Sequence, residues 1–230
     1  MPSNRRHFLV QATAGAASGL LASTQLALAD ERPAKKDRTI NPELLFATPI
    51  ENGFTWTLAS RLGDMLHLAE DLFGARDASY TILGVEFVAD LPRLWFPGNR
   101  RHVVVQLHSS AAMDMSRACY QLAHETVHLL SPNGGGAASN LEEGVATYFA
   151  GYYMRTQFHQ PNWHPELPSY KRALEMLAPR LDQDARCIRR LRGQCLPFSR
   201  IPKEALRVEF PELSSADLSF LLATFNRNGG

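Results

Sequence analysis

The five residues His124-Glu125-Thr126-Val127-His128 constrain this chain more than any other stretch, because they read H-E-x-x-H inside a helical pattern. Histidines four apart lie on one helix face, so both rings can reach a single metal ion. The glutamate between them is placed to take a proton from a water at that ion. The flanks support the helix. Residues 111–130 contain neither proline nor glycine, and Ser131-Pro132-Asn133-Gly134 ends the run with breakers. On a 3.6-residue period Arg117, Gln121, His124 and His128 share one side. Cys119, Leu122, Val127 and Leu130 fall largely elsewhere and suit a packed core.

A tetrahedral catalytic zinc takes three protein ligands and leaves one position open. The pattern H-E-x-x-H-x-x-G-x-x-H cannot supply the third ligand here, because its glycine falls at Ser131 and its last histidine at Gly134. A glutamate on a following helix can. After Gly134-Gly135-Gly136 comes Ser139-Asn140-Leu141-Glu142-Glu143-Gly144-Val145-Ala146-Thr147-Tyr148-Phe149. Adjacent helical positions diverge by about 100°, so Glu142 and Glu143 cannot both face one metal well. Ser139 and Glu142 form an S-x-x-E capping box, which gives Glu142 a structural task and favours Glu143 as the ligand. Thr147 follows Glu143 by four residues, where its hydroxyl can support the ligand. Tyr148, Tyr152 and Tyr153 lie further along, as candidate donors to an oxyanion or as core aromatics. His108, His159 and His164 are candidates for substrate contacts, with exposed positions as the plainer reading.

H-E-T-V-H followed by L-E-E-G-V-A-T-Y-F resembles the gluzincin metallopeptidases, whose second helix often carries an E-G-x-A signature. The likeness covers roughly residues 102–153. It implies a zincin-like fold and one catalytic Zn2+ held by His124, His128 and Glu143. It also implies Glu125 as general base and a peptide or protein as substrate. The glutamate directly before the glycine is the zinc ligand in aminopeptidases of that clan, which again points to Glu143. Two departures stand out. Only fourteen residues separate His128 from Glu143, a shorter connection than thermolysin-like enzymes use. The aminopeptidase motif that reads a free amino terminus has no counterpart here.

Asn4-Arg5-Arg6-His7-Phe8-Leu9 resembles a bacterial twin-arginine export signal. An alanine-rich apolar run and Ala27-Leu28-Ala29 follow as a cleavage site. Residues 1–29 are therefore read as a signal peptide, and the mature chain as periplasmic or secreted with no stable membrane span. Removing Arg5 and Arg6 lowers the basic count from 24 to 22 against 23 acidic residues, a net charge near −1. That balance gives no electrostatic case for nucleic acid. Cys187 and Cys195 could close a small disulfide in an oxidising compartment, with two free thiols as the alternative. The arginines between them form a solvated basic face or an anion site.

Helical spacing with Gly74 as its stop predicts a helix over 56–73, and β-formers predict strands over 80–88, 92–96 and 102–108. Helices are expected over 165–181, 202–208 and 214–225. The fold class is α+β: a small, mostly antiparallel sheet packed on the H-E-x-x-H helix and a second, glutamate-bearing helix. Residues 30–54 are read as a leader and 55–230 as one zincin-like domain with a helical part from about 160. The edge strand, assigned to 102–108, would line the cleft and pair with an extended peptide. The expected activity is zinc-dependent peptide-bond hydrolysis. The alternatives are a non-catalytic, zinc-stabilised cell-envelope binding module and a zinc amidase acting on cell-wall material.

Overall fold

Leu58, Leu62, Met65, Ala69 and Phe73 recur on one face and bury it, so the first long helix, α1 (Leu58–Phe73), packs as its periodicity predicts. Thr57 and Ser60 close a capping box at its start. Gly74 ends it at φ +93°, a conformation that favours glycine. The computed structural model describes residues 40–163, 168–193 and 196–226, all within one compact unit. The export signal, His164 and Cys195 lie outside the described residues.

Two short strands precede α1: β1 (Pro49–Ile50) and β2 (Gly53–Phe54), an antiparallel hairpin with exposed residues. This segment is not a free leader. Leu44 is buried in the core, and Asn41 N donates to Ala112 O at 2.8 Å.

The main sheet follows as β3 (Thr81–Val88), β4 (Arg93–Trp95) and β5 (His102–His108), in the order β3-β5-β4. β3 pairs with β5 in parallel over seven positions, and β4 pairs with β5 antiparallel over three. The sheet is thus mixed rather than mostly antiparallel. β5 is its centre rather than its edge, and that position explains its sequence. Val103, Val105 and Leu107 are buried on one face, and Val104 and Gln106 are buried on the other. The edge is β4. A row of side chains fixes it there: Gln106 Nε2 donates to Glu86 on β3 at 2.6 Å, and Gln106 Oε1 accepts from Arg93 Nε on β4 at 2.8 Å.

The remaining chain is helical: α2 (Met115–His128), α3 (Asn140–Gln157), α4 (Pro168–Asp184), α5 (Cys187–Arg192), α6 (Lys203–Glu209) and α7 (Ser215–Leu222). α3 is the hub. Nearly every residue from Asn140 to Met154 is buried, as for a helix covered on all sides. α4 crosses it closely because Gly144 has no side chain. A Cβ there would stand 2.6 Å from Leu177 Cδ1 and 3.0 Å from Ala173 Cβ. No helix among the described residues is long and apolar enough to cross a membrane.

In the arginine-rich segment Arg186, Arg189 and Arg190 are exposed, as a solvated face requires, and Arg192 alone of the four is buried. Arg192 is 1% exposed and donates to five main-chain carbonyls: Phe73, Gly74, Ala75, Leu130 and Leu196. It thereby satisfies the open C-terminal ends of α1 and α2 together. Arg190 pairs with Glu209 and Asp184, and Arg186 and Arg189 both pair with Asp71. Burial raises the thiols of Cys119, to about 12, and Cys187, to about 11, as suits packed rather than reactive groups.

Arg192→Ala is expected to cost at least about 3 kcal/mol of stability, because several buried carbonyls lose their donor at once; urea unfolding measures it. Gly144→Val is expected to cost about 1–3 kcal/mol through overpacking against α4, and a wild-type unfolding midpoint would contradict the close crossing.

Candidate metal centre

Asp114 caps α2 by accepting from Arg117 N, and fourteen residues of uninterrupted helix then carry the two histidines to one face. Ser139 caps α3 by accepting from Glu142 N at 3.2 Å, so Glu142 and Glu143 lie in its first turn. The turn between the helices is made by Asn133, whose side chain bonds Gly135 N and Gly136 O, and by Gly134 and Gly135 at positive φ. The short connection brings the start of α3 back against the end of α2.

There His124, His128 and Glu143 converge. His124 Nε2 lies 3.1 Å and His128 Nε2 3.7 Å from Glu143 Oε2, and all three donor atoms fall within 4.8 Å of one another. A tetrahedral ion with bonds of about 2.0–2.1 Å sets its ligand atoms about 3.3 Å apart. The observed separations bracket that value, so the donor set fits a metal ion. Glu125 is 4% exposed and lines the same cleft.

Glu142 does not complete the capping box. Its carboxylate turns to α2 instead, where His128 Nδ1 donates to Oε1 at 2.8 Å. This bond fixes the ring and leaves Nε2 facing Glu143. Burial opposes charge on His128, yet the carboxylates of Glu143 and Glu142 outweigh it and raise its pKa well above 6.5. Burial likewise opposes charge on Glu143, but His128 and His124 hold its carboxyl far below the usual range. Ion-pairing among the three side chains therefore holds the donor atoms together.

The other proposed residues divide. Thr147 Oγ1 donates to Glu143 O at 2.8 Å, so it touches the ligand's main chain and not its carboxylate. Tyr148 donates to Asp182 and stacks on Tyr152, while Tyr153 donates to Asp64; none of the three lines the cleft. His108 accepts from Ser110 N, and His159 lies past the end of α3; neither faces the cleft. Sequence reasoning missed Tyr170. It sits in the first turn of α4, stands edge-on to His124 with ring centres 5.6 Å apart, and lines the cleft. Its position 46 residues beyond His124 carries no local pattern that could have singled it out.

The cleft has a volume of about 470 Å³, within the range of ligand pockets. The edge strand β4 lines it through Arg93 and Leu94, and Gly135 and Gly136 contribute from the interhelical turn.

Metal uptake should displace a proton from His128. Affinity of the metal-free protein for a divalent ion is then expected to rise about tenfold per pH unit while that proton is bound. Because the pKa is raised, the rise should continue past pH 6.5, and calorimetric titration showing a plateau below that value would contradict it. Glu142→Ala should weaken binding about 10–100-fold. Comparison of the chain with protein-family models, with curated proteins and with solved structures finds no match, so any functional reading stands on this geometry.

Proposed function

We propose that this chain is an exported zinc-dependent hydrolase of the gluzincin type that cleaves peptide bonds. The observation that carries the proposal is the meeting of His124, His128 and Glu143 at one point, with Glu125 buried in the same cleft. Two neutral imidazoles and one carboxylate are the donor set of a catalytic zinc. The ion, when bound, would supply Lewis acidity, polarising a substrate carbonyl and making water a nucleophile near neutral pH.

The chain's own residues would do the rest. Glu125 accepts a proton as water oxygen attacks the scissile carbonyl carbon, and returns it to the nitrogen as the C–N bond breaks. It is buried and lines the same cleft as the three ligands. Glu142 holds His128 in the orientation that directs Nε2 at the site. The edge strand β4 offers main-chain donors and acceptors on the side away from β5, where an extended peptide could add as a further strand. That geometry favours a peptide over other amides.

Elemental analysis of wild type, Glu142→Ala, Glu143→Ala and Glu125→Gln tests the reading. Wild type is expected to hold one zinc, Glu143→Ala to lose it, and Glu125→Gln to keep it while turnover of a peptide library falls by at least about 10²–10⁴-fold. Retained turnover in Glu125→Gln would remove the mechanism. Failure of wild type to take up zinc after reconstitution would remove the metal centre itself.

A further inference from the structure

One wall of the cleft is built by the residues that follow α7. Asn140 N donates to Ala223 O at 3.0 Å, Phe225 N donates to Ala138 O at 2.8 Å, and Ser139 bridges Thr224 in antiparallel fashion. The Asn140 side chain adds a bond to Phe220 O at 2.8 Å. The strap is thus fastened by main-chain bonds to the residues that lead into α3, three to five positions before the metal ligand Glu143. These bonds set the Phe225 side chain in the cleft, half-buried, with its ring centre 4.7 Å from that of Tyr170. Tyr170 in turn stands against His124. An aromatic series therefore runs from the strap to a metal ligand.

Charge on the remaining lining does not compete with it. Apart from the residues of the centre, the charged side chains among the described lining residues are Asp90 and Arg93. They are paired at 2.7 Å, and Arg93 also bonds Gln106. The two rings touch each other, so a substrate side chain laid against the pair would meet ring surface rather than an uncompensated charge.

We propose that Tyr170 and Phe225 form a specificity subsite that receives an apolar, preferentially aromatic, substrate side chain beside the scissile bond. The proposal rests on the metallopeptidase reading above and narrows it to a substrate class. Phe225 acts by contact with that side chain and takes no part in proton transfer.

Three hydroxamates that share a backbone and differ in one side chain (benzyl, hydrogen or carboxymethyl) test the subsite by calorimetry, with no turnover required. Zinc-loaded wild type is expected to bind the benzyl compound about tenfold more tightly than the side-chain-free one. Phe225→Ala should reduce that ratio to below about threefold, while Phe225→Leu should retain most of it. Phe225→Arg should turn the preference toward the carboxymethyl compound. The strap's main-chain bonds survive all three substitutions, and an unchanged melting temperature in each variant confirms that the fold does too. Hydroxamate binding with no benzyl preference, or a preference untouched in Phe225→Ala, overturns the subsite while leaving the metal centre standing. No zinc or hydroxamate binding in wild type overturns both. Benzyl preference without peptide cleavage supports the subsite and removes only the hydrolase reading.

Discussion

Two carboxylates on successive positions of α3 are buried against two histidines of α2, and the helix pair is arranged around that fact. Burying one unpaired carboxylate costs several kcal/mol, and burying two adjacent ones costs more. Glu143 meets both imidazoles and Glu142 meets the far side of His128, so each acid has a cationic or hydrogen-bonding partner on the opposing helix. The pairing sets register. Sliding α3 by one residue would turn Glu143 about 100° away from the histidines and leave it buried without a partner. The same contacts would shape metal binding, because an arriving ion would find its three donors already gathered.

Everything around the pair holds it in place. Gly144, directly after the ligand, admits α4 close enough to α3 to bring Tyr170 against His124. Arg192 reaches from α5 to the carbonyl of Leu130, just beyond His128, and to the end of α1. One buried guanidinium thus ties together the ends of two helices that would otherwise expose unpaired carbonyls to the core. On the sheet side, the row Glu86–Gln106–Arg93 fixes β4 as the strand that borders the cleft.

What was legible in the sequence was what local chemistry decides. The histidine helix, the strand at 81–88 and the helix ending at Gly74 follow from periodicity and from breakers that act within a few residues. The grouping of His124, His128 and Glu143 was legible too, because both helices carry caps and the link is short. Strand order was not. A run such as Val103-Val104-Val105 shows that a strand is buried, but neighbours far along the chain decide whether it lies at the centre or the edge. Glu142 shows a sharper limit. Ser139-x-x-Glu142 satisfies the capping rule, yet the carboxylate prefers an imidazole that only the tertiary fold brings within 2.8 Å. The arginines near Cys187 show the same limit: sequence shows the charges but not Asp71 and Glu209, which pair with them from distant parts of the chain.

The non-local parts are also the parts that give the cleft its character. The centre itself needs only α2, α3 and the glycine turn between them, a span of about forty residues. The walls come from β4 on one side of the sequence and from Tyr170 and Phe225 on the other. In the proposed hydrolase, reactivity and selectivity would therefore be carried by different segments, joined through α3. Its first turn holds the ligand, its fifth residue admits α4, and its cap region anchors the residues that follow α7. A change in the strap can alter what enters the cleft without disturbing the donor atoms, because the bonds that fasten it are main-chain bonds to residues 138 and 140. A change at Gly144 cannot be so contained. It displaces α4 and with it Tyr170, whose ring contacts both His124 and Phe225.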